Sequence, residues 1–215
     1  MLDLFRFMID FILHIDRHML EIVTNYQTWT YLILFAIVFC ETGLVVTPFL
    51  PGDSLLFASG AIAAMPSHPL SLPLLLIIFF VAAFTGDNTN YFIGHFLGQK
   101  VYEKDYRLIR RKYLDQTHTF YEKHGGKTLI FARFMPIIRT FAPFVAGVGS
   151  MRYLRFLFFS IAGNIIWVSL FCTAGYLFGD IPFVKNNFSM VIIGIILVSL
   201  LPPVFAFIKH KFTKT

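Results

Sequence analysis

The sequence predicts an all-α polytopic membrane protein: an inverted repeat of amphipathic helix, re-entrant broken hairpin and transmembrane helix, followed by a C-terminal transmembrane helix. Three observations carry this. The 215 residues are 57% hydrophobic and 18% aromatic but only 14% charged, with a mean hydropathy of +0.70; soluble domains carry about 25% charged residues. Two apolar stretches are interrupted by proline and glycine, which leaves pieces shorter than the ~20 residues a spanning helix needs. And the basic residues cluster between and beside the apolar runs, as they do in cytoplasmic loops.

Residues 2–24 place apolar side chains at helical spacing, while Asp3, Arg6, Asp10, Asp16 and Arg17 break up any spanning run. That pattern predicts an amphipathic helix in the interface. The same early charges, with no small-residue cleavage site after them, argue against a cleaved signal peptide. Residues 30–65 are apolar apart from Glu41 and Asp53, with Pro48-Phe49-Leu50-Pro51-Gly52 at the centre. Proline removes a backbone donor and glycine permits a sharp turn, so this stretch reads as a re-entrant hairpin whose tip holds the break. Residues 72–97 form a full span containing Gly86-Asp87-Asn88, and 99–124 a charged, aromatic second interfacial helix. Residues 128–150 are apolar except for Arg133 and Arg139, with Pro136 and Pro143 inside them. Spans follow at 154–178 and 188–208. The predicted division is 1–97 for the first unit, 98–178 for the second and 188–208 for the last helix, all in one membrane domain.

Charge bias threads the second apolar stretch. Residues 100–127 carry eight Lys/Arg against four acids, and Lys209, Lys211 and Lys214 lie in the tail. If 128–150 is a hairpin, that basic loop, Arg152, Arg155 and the tail share the cytoplasmic face; if it spans, the positive-inside rule is broken. The same logic puts the acidic N-terminal helix on the opposite, periplasmic side. The basic loop is read as an orientation signal and lipid-headgroup anchor, not as a nucleic-acid site. The short match of Pro48–Gly52 to Pro143-Phe144-Val145-Ala146-Gly147, within a recurring order of elements, suggests two oppositely oriented units, a pattern of transporters.

Glu41, Asp53, Arg133 and Arg139 each cost roughly 2.5–3.5 kcal/mol in a helix centre. Opposed hairpin tips would let two acids and two arginines neutralise one another. Arginines are permanently charged forks suited to phosphate. Carboxyl groups are pulled toward the neutral form by burial and toward the charged form by an arginine, a competition suited to proton coupling. Structural ion pairs joining the hairpins are the plainer reading. Asp87 with Asn88, and Asn164 with Trp167 one turn on, are candidates for the same polar pathway or for helix packing. Cys40 and Cys172 have no ligand-like neighbours, the histidines at 14, 18, 118 and 124 form no metal arrangement, and no cofactor is expected. Ser54 and Ser59 lack an evident His/Asp partner, which argues against an enzyme.

FCETGLVVTPFLPGDSLLF (39–57), FYEKHGGKTLIFARFMPIIRTFAPFVAG (120–147) and GNIIWVSLFCTAGYLFG (163–179) resemble the DedA family, also called the SNARE-associated or VTT-domain superfamily. The resemblance implies a bacterial inner-membrane protein with two opposed re-entrant hairpins and a function linked to the proton-motive force. It implies functional acids at Glu41 and Asp53 and functional arginines at Arg133 and Arg139. It also implies lipid movement, since some members are implicated in recycling undecaprenyl phosphate and eukaryotic relatives are scramblases. The expectation is therefore a flippase of lipid phosphates such as undecaprenyl phosphate or phospholipid. Arg133 and Arg139 would bind the phosphate, Glu41 and Asp53 would couple protons, and Pro48, Pro51, Gly52, Pro136, Pro143 and Gly147 would form the breaks and cavity. The expected partners are membrane lipids and protons, with room for a homo-oligomer. A proton-coupled antiporter for small cations or drugs, and a non-transporting envelope scaffold, are the rival readings.

Overall fold

In the computed structural model the residues described are 15–44, 52–65, 70–103 and 126–179, with scattered positions between 181 and 197. Among them there is no strand. The α-helices are α1 (Ile15–Tyr26), α2 (Thr30–Gly43), α3 (Gly52–Ala63), α4 (Leu72–Glu103), α5 (Lys127–Ala132), α6 (Pro136–Val148) and α7 (Tyr153–Phe178), and a 3-10 turn at Gln27–Trp29 joins the first two. The lengths separate two kinds of helix. At ~1.5 Å per residue, α4 (32 residues) and α7 (26 residues) exceed the ~30 Å hydrocarbon core of a bilayer. The same rise gives α2, α3 and α6, with 14, 12 and 13 residues, only about 18–21 Å. Each of these short apolar helices, over its described length, is by itself too short to cross. The outward faces of α4 and α7 carry exposed Ile77, Phe92, Phe96, Phe158, Leu170 and Leu177, an apolar surface suited to lipid.

The second hairpin breaks at one place. After α5, Arg133, Phe134 and Met135 donate to the carbonyls three residues back, tightening the chain out of α geometry. Met135 is extended (φ −115°, ψ 107°), as the residue before a proline must be, and Pro136 starts α6 at its first position. Pro143 is not a second break. It lies buried within the continuous helix Pro136–Val148; the lost donor and the ring's crowding of the carbonyl four residues back disturb α6 without ending it. The helix stops instead at Gly149-Ser150. Ser150 is left-handed (φ 53°), and Met151 N–H bonds back to Ala146 O at 3.0 Å, which closes the last turn. The predicted break at 99, where the first span should yield to an interfacial helix, is also absent: α4 runs through Gln99 and Lys100 to Glu103. Pro48 and Pro51, the N-terminal half of the first amphipathic helix, the basic segment 104–125 and most of the span 188–208 lie outside the described residues.

The chain divides into two compact units, one of residues 1–35, 51–79 and 168–215, the other of 36–50 and 80–167. In the first, α3 is buried on every side from Gly52 to Ile62 and packs on the C-terminal half of α7. A Cβ at Gly60 would overlap the Cys172 carbonyl, and one at Gly175 the Phe57 carbonyl. In the second, α6 packs on α4 in the same manner: a Cβ at Gly147 would overlap the Tyr91 carbonyl, and one at Gly94 the Phe144 carbonyl. Phe57–Gly60 and Phe144–Gly147 are spaced alike, as are Cys172–Gly175 and Tyr91–Gly94. Gly147 is therefore the packing counterpart of Gly60, not of Gly52 as the P-F-x-x-G echo suggested. Its role is close backbone approach and not chain reversal.

Candidate functional site

The polar residues of the second unit converge on the hairpin break. Arg133 caps the C-terminus of α5, and Arg139 sits in the first turn of α6 with its N–H bonded to Met135 O at 2.9 Å. On one straight helix a spacing of six would point the two side chains apart; the break between the helices lets both reach the same ring. The Arg133 and Arg139 guanidinium carbons stand 5.9 and 5.1 Å from the centroid of Trp167, which is fully buried. Two like charges so close need anionic partners, and each has one. Arg139 is ion-paired with Glu41 near the C-terminus of α2, and Arg133 with Asp87 on α4.

All four charged side chains are at most 5% exposed, so these pairs are deprived of solvent. Asp87 holds further partners on α7: Ser160 Oγ donates to Asp87 Oδ2 at 2.6 Å and Asn164 Nδ2 to the same oxygen at 3.0 Å. Ser160, Asn164 and Trp167 recur at helical spacing and so share one face of α7. One turn beyond Asp87, the Asn90 amide donates to Thr42 O at 3.2 Å and Thr140 O at 2.5 Å, tying the end of α2 and the start of α6 to α4. Close approach of α2 to α4 requires Gly43 and Gly86, whose backbones nearly touch.

Of the residues singled out from sequence, the structure brings together Glu41, Arg133, Arg139, Asp87, Asn164 and Trp167. Asp53 lies in the first turn of α3 and is 5% exposed, and the carboxylate ion-paired with Arg133 is Asp87 of the long helix. Asn88 points elsewhere: its amide donates to Phe84 O at 2.7 Å and its oxygen accepts from Tyr153 Oη at 2.8 Å. Ser160, Asn90, Thr42 and Thr140 were missed. For the first two a signal existed, since Ser160 precedes Asn164 by one turn and Asn90 follows Asp87 by three residues, whereas Asn88 is rotated about 100° away from Asp87 on an α-helix. Among the described residues no group of His, Cys, Asp and Glu could hold a metal ion.

The VTT domain matches residues 50–177. Protein DedA of Escherichia coli is 54% identical over 211 residues, 98% of this chain and 96% of its own length. An uncharacterized membrane protein of Mycobacterium tuberculosis is 45% identical over 79% of this chain and 74% of its own length, and the inner membrane protein YghB of E. coli is 33% identical over 94% and 92%. No solved structure matches. With the domain covering more than half the chain, and relatives alike from end to end, this membrane protein belongs to the VTT-domain (DedA) family.

Proposed function

We propose that this chain is a proton-linked translocase for lipid phosphates, such as a polyprenyl phosphate or a phospholipid, in the bacterial cytoplasmic membrane. The observation that carries the reading is the pair of guanidiniums over one indole. Arg133 and Arg139 share the Trp167 face and flank the start of α6, a helix whose N-terminus has no side-chain cap. Planar forks and a helix N-terminus both favour a phosphate, which could bridge the two arginines while its chain stays in lipid. In the resting arrangement carboxylates occupy the arginines, so a headgroup must compete with Glu41 and Asp87. Protonating those acids weakens the competition, and that links lipid binding to the proton gradient. Asp53 is a further acid on the short helix of the other unit, and we assign it to the same coupling. The basic segment 100–127 and the C-terminal tail would then be cytoplasmic, by the positive-inside rule.

The test is transport by the purified chain in proteoliposomes. A fluorescent phospholipid and a short-chain polyprenyl phosphate should change leaflets faster than in empty vesicles, and faster still with a pH gradient. Arg139→Lys, which keeps the charge and loses the fork, should slow this at least tenfold. If neither lipid moves under either condition, the translocase reading fails.

A further inference from the structure

Asp87 is held by two kinds of group. Arg133 is a fixed cation that can only donate. Ser160 and Asn164 can do either: a hydroxyl turns to donate or accept, and a carboxamide carries an acceptor beside its donor. The Asn164 Nδ2 is engaged by Asp87 Oδ2, by Ser160 O at 2.9 Å and by Ser160 Oγ at 3.2 Å, an arrangement that fixes which end of the amide faces the carboxylate. The other end, Asn164 Oδ1, is fully buried and has no hydrogen-bond partner among the described residues. A buried acceptor without a donor is unfavourable. A protonated Asp87 can donate to Ser160 Oγ once that hydroxyl turns, so the same neighbours accommodate the neutral acid.

Other charges bear on the same set. In this unit Arg133 feels Asp87, Arg139 and Glu41, from α4, α6 and α2. The residues of α7 that reach the group, Ser160, Asn164 and Trp167, are neutral, and on α4 itself Tyr91 and His95 follow one and two turns on. Among the described residues the two ion pairs hold two arginines and two carboxylates, which sum to zero. An anion entering this buried set leaves an uncompensated negative charge, which burial strongly disfavours. Taking up protons from water onto the displaced carboxylates removes it.

Resting on the translocase reading, we infer that Asp87 is the proton acceptor that frees Arg133 for an anionic headgroup, and that the protons taken up on binding equal the charge the headgroup brings. A phosphomonoester dianion brings two charges and draws a proton onto Asp87 and another onto Glu41. A phosphodiester brings one and draws a proton onto Asp87, where Ser160 and Asn164 can receive the neutral acid. No covalent bond changes; bulk water supplies the protons and recovers them when the lipid leaves.

The full chain in detergent micelles can be titrated at about pH 8, where a phosphomonoester in water is a dianion. Calorimetry with dodecyl phosphate and with didecyl phosphate, each in two buffers of different ionisation heat, reads binding and proton uptake together. We expect about two protons per monoester and about one per diester. Asp87→Asn should lower each number by one, to about one and none, with binding retained. Equal uptake for the two esters in the unaltered chain, a comparison that needs no variant, overturns the inference while leaving the translocase reading intact. Unchanged uptake in Asp87→Asn does the same. Absence of binding by the unaltered chain overturns both.

Discussion

In one compact unit α3 lies on α7, and in the other α6 lies on α4, and the two contacts are built on the same arrangement of glycines. Gly60 and Gly175 let one pair of backbones touch; Gly147 and Gly94 do this for the other. The chemistry laid over them differs. Continued along the long helices, the shared spacing sets Asp87 of α4 against Val168 of α7, Asn90 against Phe171 and Gly86 against Trp167. Along the short helices it sets Arg139 of α6 against Gly52 of α3, and Thr140 against Asp53. The backbone packing is alike in the two units, while among the described residues both arginine–carboxylate pairs lie in one of them. The shared glycine spacing supplies the frame, and the departures from it supply the site.

The contrast is broken most sharply by removing one member of a buried pair. Arg139→Ala leaves Glu41 buried without its arginine, a change worth about 3–5 kcal/mol. In the first unit Ser59→Ala deletes a buried hydroxyl whose bond goes to its own helix, at Leu55 O, and should cost no more than about 1 kcal/mol. Unfolding in detergent, followed by near-ultraviolet circular dichroism, measures both. If the two costs match, the charges are no more strongly held than ordinary buried polar groups. The double change Arg139→Met with Glu41→Leu should recover most of the lost stability, as apolar replacements of buried pairs do. On the translocase reading the double change abolishes transport even so, which separates the site's work from its contribution to the fold.

The glycine contacts come next. Gly60→Ala and Gly147→Ala each drive a methyl into a backbone carbonyl, and overpacking of this kind costs about 1–3 kcal/mol. The comparison predicts that the two losses agree to within about 1 kcal/mol. A large loss at one and none at the other would mean that the shared spacing is not shared packing.

Composition and the positions of Pro136, Glu41, Arg133 and Arg139 were enough to read helices of two lengths and a charged break. Hydropathy and helix rise act locally, so both are written in adjacent residues. What could not be read was partnership. The sequence put Asp53 forward for coupling and left Asp87 between a polar pathway and helix packing; only the packing of α4 against α5, α6 and α7 selects Asp87 for Arg133. Pro143 misled for a related reason: a proline reads as a break, but when it is buried among tertiary contacts a helix can run through it. The P-F-x-x-G echo aligned like letters, whereas the packing aligns Gly147 with Gly60, three residues before the end of α3 and outside the echo altogether.

The smallest of the effects tests the ring that only one copy has. Trp167 stands where the shared spacing puts Gly86 in α4, and it lies under both guanidiniums. Trp167→Phe keeps an aromatic face but a smaller one, so the loss of stability should be about 1 kcal/mol. That figure alone does not distinguish a platform for the arginines from a filler of space. Coupling does. Combined with Arg139→Lys, a platform gives an interaction energy of about 0.5–1 kcal/mol, because each change weakens the same cation–π contact. A filler gives none, since lysine takes up much the same room above the ring. Additive losses would therefore reduce Trp167 to packing, and the arginines would owe their shared orientation to Glu41, Asp87 and the break at Pro136 alone.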